Sequence, residues 1–590
     1  MSRSLIPNER GIALITVLLV TLVVGVISVG AALISTNASL INRYTDRMSV
    51  LEAVADAGIA EGRSRVNGDA ALYPDNSYAI LESGVSVQDA SGATIPHVRR
   101  SLYVGPTGIT SGQYGVFGSL VVVAEDDFGN RLIRRGEIVQ ESFAKYAYFT
   151  DNEGGNIWFG GGDQLFGPVH SNDRIQIHPT GVTFWSTVET ARYMYQPHYG
   201  TFHEGYTEYG PYIPMPQTAD LVKLRTQAQA GNTYFVGNIS GGFGETTTRI
   251  EFMALDLNGD GDSTDANEGF IRVYQQLADA YWVSGDRPNA GWNRYSSYGL
   301  TRSEHCGYWN VQGNFVTGAE MYQDSGYGNS TRRNKLTSAT RRCYLGGSDT
   351  LSMGFVAGPD AKGGRWLQWP GAVSPLLAAR ADAAYLFPIS RQLNPSFKGV
   401  IFVDGKVGIS GKLRGRVTIA AMDDIVILDD IIYATDPGAG TCADILGIFS
   451  GNAVVVADNT INAPSRPWPS WSYRPYDDTL GEFIQGVVLA LGSFTVENYN
   501  SGSSNAEPCQ GTPQGRGCLY LTGGIIQDTR GAVGLLSGRG YTKRYSYDQC
   551  AFTNPPPYFP TTGHFARGRY YEVDPVAFDV AAFYRLLSAN

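Results

Sequence analysis

The sequence predicts a mainly β protein carried on a long N-terminal α-helix. Two observations predict it. Residues 12 to 35 (IALITVLLVTLVVGVISVGAALIS) contain no charge and run on into an amphipathic stripe. The remainder is rich in Gly (72), Tyr (35) and Phe (25), a composition that favours turns and pleated strands over helical bundles. With 590 residues, 43% hydrophobic and 17% charged, the chain has enough apolar material for several packed domains and is no disordered tail.

The uncharged stretch exceeds the roughly 20 residues that span a bilayer as a helix. It follows a short segment, MSRSLIPNERG, whose Arg3 and Arg10 outweigh Glu9, so the positive side stays cytoplasmic and the C-terminal bulk is exported. Beyond the span, Leu40, Tyr44, Met48, Leu51, Ala55 and Ile59 recur at three- and four-residue steps between charged positions. That spacing continues one apolar stripe. A single helix over residues 12 to 66 is about 80 Å long, more than twice the membrane thickness. A secretory signal would be shorter and end at a small-x-small cleavage site. The plain alternative is a single-span anchor for an exported domain.

The formal charge of −10 and the absence of any Lys/Arg run longer than two residues argue against nucleic acid as a partner, because phosphate contacts need a clustered basic surface.

The leader ending in Gly11, the RGIALITVLLV segment and the AVADAGIAEG stretch resemble type IV pilus minor pilins of the PilX type over about the first 65 residues. The resemblance implies that prepilin peptidase cuts between Gly11 and Ile12, that residues 1–11 are a leader, and that the helix of residues 12–66 rests in the inner membrane before packing against other pilins in a filament. Major pilins of this family carry Glu at the fifth mature position, where this chain has Thr16. A buried carboxylate and amine stabilise each other only as a pair, so the chain is a poor repeating major subunit. The K-type pseudopilin of type II secretion is similar, and both families imply a place at the filament tip, on the cell surface.

After the helix, residues 67–145 read as a pilin-like β-sheet. GSLVVVAE and RLIRRGEIVQES form two strands around the Gly-containing turn DDFGN. Residues 146–397 read as a β-rich exported region of short stacked strands, with one amphipathic helix at 217–230 that places Leu221 and Leu224 on one face and is expected at a sheet edge. Residues 398–590 carry a rhythm of short apolar runs (VIFV, VGIS, VTIAA, IVIL, IIY) broken by Gly and Asp. This suits a parallel β-solenoid, whose rungs bury their apolar faces only by stacking. A β-sandwich is the alternative, since no strict sequence period accompanies the rhythm.

The sharpest local motif is DLNGDGDSTDANEG, residues 256–269. Asp256, Asn258 and Asp260 alternate, Gly261 permits a sharp turn, and Asp262, Asp265 and Glu268 add oxygen ligands, as a hard Ca2+ ion requires. It resembles EF-hand and dockerin loops at the first positions, but its twelfth position is Asn267 and the acid follows one later. Strand-like flanks, RIEFMAL and FIRVYQ, imply a structural Ca2+ between strands. The bland reading is a solvated acidic hairpin.

Cys306, Cys343, Cys442, Cys509, Cys518 and Cys550 include no CxxC, which disfavours zinc, and export favours disulfides. Six cysteines allow 15 pairings. Proximity favours Cys306 with Cys343 and Cys509 with Cys518, leaving Cys442 with Cys550.

No HExxH, GxSxG, Walker or dinucleotide motif occurs, so no enzyme is expected. The alternative is a membrane-anchored solenoid acting on a polysaccharide with Asp423, Asp424, Asp429 and Asp430 as acid and base; corner turning explains the same residues. His170, His178, His198 and His203 would bind a metal only if brought together. Aromatics in YSSYG, MYQDSGYG and WPSWSYRPY are candidates for a surface or glycan ligand. The expectation is a minor pilin serving pilus assembly or adhesion, with the type II pseudopilin as a relative of the same class.

Overall fold

The computed structural model describes residues 9–74, 77–107, 115–155, 157–239, 246, 248–276, 307–309, 315–317, 322–324, 333–335, 364–378, 380, 383–456, 482–496, 499–500, 518–536, 539–576 and 578–588. The chain forms two compact units. One comprises Met1–Thr110, Val116–Val139 and Gly563–Asn590; the other comprises Ser111–Gly115 and Gln140–Thr562.

In the first unit, helix α1 (Glu9–Gly68) runs for 60 residues, about 90 Å at the α-helical rise. Strands β1 (Ala79–Gln88), β2 (Thr94–Pro106), β3 (Phe117–Asp126) and β4 (Arg131–Ser142) follow as an antiparallel meander. The expected DDFGN turn joins β3 to β4, and the Asp126 carboxylate closes it by accepting the Phe128 and Asn130 N–H groups at 2.9 and 2.8 Å. Strict alternation in β3 decides the packing. Leu120, Val122 and Ala124 face a core with Leu51, Val54, Ala55 and Ile59 of α1. Val121 and Val123 face a second cluster containing Tyr78, Tyr103 and Tyr584.

The sheet also contains a strand that the sequence reading placed elsewhere. Thr561–Val573 completes the order beside β4, and Val580–Ser588 forms a helix. The boundary 398–590 is therefore corrected, since Gly563–Asn590 belongs with the N-terminal sheet. The physical reason is an open edge at β4 that needs pairing. Phe565 joins the α1 core and Tyr584 donates to the Ser119 carbonyl at 2.8 Å.

The second unit is a parallel β-solenoid, which resolves the choice against a sandwich. One column of strands stacks in the order Tyr234–Val236, Val400–Asp404, Arg416–Ala421, Ile445–Ser450, Glu482–Ala490, Cys518–Thr529, Tyr148–Asn152, Val169–Ser171, Val188–Thr190 and Tyr206–Thr207, with every neighbour parallel. A second column runs Thr248–Ala254, Val407–Leu413, Ile425–Tyr433, Val454–Val456 and Phe494–Val496. A third carries Thr542–Tyr547 onto Asp163–Leu165, Val182–Phe184 and Gly200–Phe202.

The rungs are thus out of sequence order. Residues 148–207 stack beyond the rung built from 518–547, and the solenoid is not confined to 398–590. The chain then crosses back along one outer face, where Ile213 and the helix α2 (Thr218–Ala230) bury Leu221, Leu224 and Ala228 against Phe149, Phe402 and Phe449. Helix α2 lies on this face rather than at a sheet edge, because three apolar positions one to two turns apart make a stripe that fits a flat surface.

Candidate functional site: the exposed half of the long helix

Helix α1 is two different objects along its length. From Leu51 onward its stripe is buried against the sheet of its own unit. Small residues permit that approach: a Cβ built on Gly58 would sit 2.9 Å from Val122 Cγ1, and one on Gly62 would sit 2.9 Å from Leu120 Cδ2. The Gly residues of AVADAGIAEG therefore serve close helix-to-sheet packing. Among the described residues before Met48 the large apolar side chains are exposed: Leu14, Val26 and Ile34 are 65%, 65% and 72% exposed.

Part of this stretch is long and apolar enough to cross a membrane, and that part is not buried within the protein. Three of its hydroxyls are satisfied within the helix. Ser28 Oγ donates to the Val24 carbonyl at 2.7 Å, Thr36 Oγ1 to Ala32 at 2.7 Å, and Thr21 Oγ1 to Val17. Hydroxyls satisfied by the preceding turn expose no unpaired donor to an apolar environment. Gly11 and Ile12 both lie within the helix, as does Thr16.

The acidic loop falls where the sequence places it, between Thr248–Ala254 and Gly269–Gln276, which pair antiparallel. Its carboxylates are engaged with the loop itself. Asp256 accepts the Gly259 and Gly261 N–H groups at 2.6 and 3.0 Å, and Gly261 adopts φ +95°, the left-handed turn its lack of Cβ allows. Glu268 is buried and accepts from the N–H groups of Leu257 and Asp265, both at 2.8 Å. The Asn258 amide bridges Asp260 and Asp265 at 2.9 Å each. Asp262 accepts the Thr264 N–H and hydroxyl at 2.8 Å each, and these bonds hold its carboxyl below the usual aspartate range.

Among the described residues no group of three or more His, Cys, Asp or Glu side chains is assembled to hold a metal. The all-oxygen donor set suits Ca2+, and Asp260 and Asp265 already converge through the Asn258 amide. Glu268 instead braces the loop from behind through the backbone.

Cys442 is bonded to Cys550, 108 residues away, at a Cα separation of 5.2 Å, as the pairing by proximity leaves them. Cys518 is also disulfide-bonded. Cys306, Cys343 and Cys509 lie outside the described residues, as do YSSYG, WPSWSYRPY and most of MYQDSGYG.

The carboxylates considered for polysaccharide chemistry do not face one groove as free acids. Asp424 is buried, pairs with Lys406 at 3.1 Å and accepts from Asn452 Nδ2 and the Ala453 N–H. Asp430 is buried and accepts the Phe483 N–H at 2.9 Å. Asp423 caps the N–H of Asp424 at 2.9 Å. The side chain of Asp429 lies outside the described residues.

The four histidines are separate. His170 is buried between Glu189 at 3.2 Å and Asn172 at 3.1 Å, and its hydrogen bond is the main cause holding Glu189 below the usual carboxylate range. His178 meets Thr180, His198 lies on Tyr199, and His203 stacks on Trp185. Phe166, Trp185 and His203 form a stacked row across three rungs, with centroids 5.4 and 4.1 Å apart. The rings cover one another's faces, so the row is first a stabilising ladder.

One cluster has no signal in the sequence. Where the rung of 518–547 meets that of 148–165, Arg530 pairs with Glu153 at 2.8 Å and Lys543 with Asp163 at 3.0 Å. The partners are 377 and 380 residues apart, so no local spacing marks them.

No protein-family model and no curated protein matches this sequence. Among solved structures, the crystal structure of the competence-associated pilin ComZ from Thermus thermophilus is similar over 85% of this chain and 88% of its own, at 10% identity and a TM-score of 0.26. That likeness is too distant to carry a structural argument.

Proposed function

We propose that this chain is a minor subunit of a type IV pilus, or of the related type II secretion pseudopilus, of the kind that primes assembly at a tip and presents a large domain at the cell surface. The observation that carries this reading is helix α1, whose second half packs on an antiparallel sheet while its first half offers an uncovered apolar surface with satisfied hydroxyls. Such a surface suits lipid before assembly and neighbouring pilin helices afterwards. Prepilin peptidase would cut between Gly11 and Ile12. Thr16, in place of an acid, favours a subunit added rarely. The solenoid would be the part exposed to a surface or glycan partner. No catalytic role belongs to this reading, since the described Asp423, Asp424 and Asp430 side chains are engaged by backbone N–H groups, Lys406 and Asn452.

The test is mass analysis of the protein in native membranes and in sheared surface filaments. A chain beginning at Ile12 in the filaments is the expected result. An uncut chain confined to membranes would sink the proposal and leave a single-span anchor.

Ca2+ binding by the 256–268 loop is part of the same proposal. Asp260 and Asp265 would hold the ion with the Asn258 carbonyl, and binding would order the hairpin. Chelator is expected to lower the melting temperature of wild type but not of Asp260→Ala. An unchanged wild type would reduce the loop to a hairpin closed by its own hydrogen bonds.

A further inference from the structure

We propose that Lys543 and Asp163 close an intramolecular isopeptide bond across the seam of the solenoid. The two residues stand in neighbouring rungs. Arg544 pairs with Gln164 and Tyr545 with Leu165 in the parallel ladder, so Lys543 sits directly over Asp163. Nζ lies 3.0 Å from Oδ2, with the two side chains 13% and 7% exposed. The Gly160 N–H donates to the same Oδ2 at 3.3 Å and steadies the carboxyl. The surroundings are apolar and aromatic: Tyr148, Phe159, Leu165 and Tyr545 are all buried.

Burial favours the uncharged amine of Lys543, the form that can attack a carboxyl carbon. Burial is the largest influence on Lys543 and pulls its pKa below the usual lysine value; the Arg530 cation acts in the same direction, while Asp163 and Glu153 oppose it. Arg530 keeps Glu153 as its own partner at 2.8 Å, and Asp163 is the carboxylate that faces Lys543 Nζ at 3.0 Å. In a low-dielectric site, transfer from ammonium to carboxylate removes two charges at once.

The step balances without an added reagent. One ammonium proton passes to Oδ2. The Nζ lone pair then attacks Cγ, a second Nζ proton follows to Oδ2, and the Cγ–Oδ2 bond breaks with water as the leaving group. The Nζ–Cγ amide retains the third proton.

Lys406 and Asp424 form the internal contrast. They are equally close at 3.1 Å, but Asp424 Oδ1 also takes the Asn452 amide and the Ala453 N–H. Two further donors thus hold that carboxyl, whereas Asp163 takes the Gly160 N–H, and no covalent bond is expected between Lys406 and Asp424.

The bond would have a mechanical use. Among the described residues the third column's ladder crosses the seam at the two residue pairs named above, beside the first-column ladder from Ile525–Thr529 to Tyr148–Asn152. A covalent joint between positions 380 apart would keep those rungs from peeling away.

The experiment is denaturing intact-mass and peptide analysis of the reduced full-length protein from native membranes, after checking that the same preparation unfolds cooperatively. Wild type is expected to be lighter by one water, about 18 Da, than the sequence counted from its own observed N-terminus, with the Lys543 and Asp163 peptides joined. Asp163→Asn should lose ammonia instead and reach the same product mass, whereas Lys543→Arg should keep its full mass. A cooperatively folded wild type of full mass with separate peptides would overturn the proposal, as would a cross-link mapping to Lys406 and Asp424.

Discussion

The two halves of the solenoid build one architecture by different means. In the half of residues 400–490, strands such as Val400–Asp404, Ile425–Tyr433 and Glu482–Ala490 run for 5 to 9 residues, and the interior is filled by Val, Ile and Leu. In the half of residues 148–207, strands such as Asp163–Leu165, Val169–Ser171 and Val182–Phe184 have 3 residues each. There the interior is carried by Phe159, Phe184 and Phe202, with centroids 5.5 and 5.2 Å apart. Side-chain bonds hold the corners of this half: Asn172 binds both the N–H and the carbonyl of Ile213, and Thr190 donates to the Asp173 carbonyl at 2.5 Å. Rungs made mostly of turns need large rings and polar braces, because short strands supply little apolar area of their own.

The largest way to break this arrangement is at the seam between the halves. Glu153→Ala leaves Arg530 buried and unpaired there, and a loss of about 3–5 kcal/mol is expected, read as the urea midpoint of the second unit's transition. Next, Phe184→Ala and Ile448→Ala test whether the halves unfold together. Each removes a fully buried side chain and should cost about 2–5 kcal/mol. One cooperative unit predicts a single shifted transition for both, whereas a second transition in Phe184→Ala alone would show that the short-rung half melts separately.

A smaller, pH-dependent effect is expected at Asp548, the cap of the Gln549–Thr553 turn beside the Cys550 disulfide. Burial raises its pKa above the usual 3.8, against the Cys550 and Ala551 N–H groups that lower it, and its Oδ2 has no hydrogen-bond partner. A raised folded-state value means that its stabilising contribution is full below the ordinary value and is lost as pH rises through the folded one. Asp548→Asn keeps the acceptor for the Cys550 N–H. It should raise the melting temperature near neutral pH, with the gain vanishing below the ordinary aspartate range; a gain that is the same at every pH would rule out ionisation as its cause. The smallest effect is expected for Trp185→Ala on the exposed ladder, about 1 kcal/mol, with no change in how the two halves couple.

The long-strand half was legible in the sequence because each apolar run is unbroken and each break is Gly or Asp. VIFV, VTIAA and IVIL became Val400–Asp404, Arg416–Ala421 and Ile425–Tyr433. The short-strand half read only as stacked strands, since runs of two or three residues carry no usable period. In the first unit, the β3–β4 hairpin was readable from alternation and its turn, while β1, β2 and the strand Thr561–Val573 were not.

By itself the sequence determined the long N-terminal helix, the hairpin turn, a helix at 217–230, the acidic loop between two strands and the solenoid breaks at Gly405 and at Met422 to Asp424, whereas the break expected at Asp429 and Asp430 lies inside the strand Ile425–Tyr433. These depend on interactions a few residues apart, and on an uncharged span that has no other use. Only the tertiary structure decided the order in which rungs stack, the return of Gly563–Asn590 to the N-terminal sheet, and the meeting of Glu153 with Arg530 and of Asp163 with Lys543. Parallel strands pair through backbone groups that every residue carries, so nothing in a local pattern says which distant rung lies next.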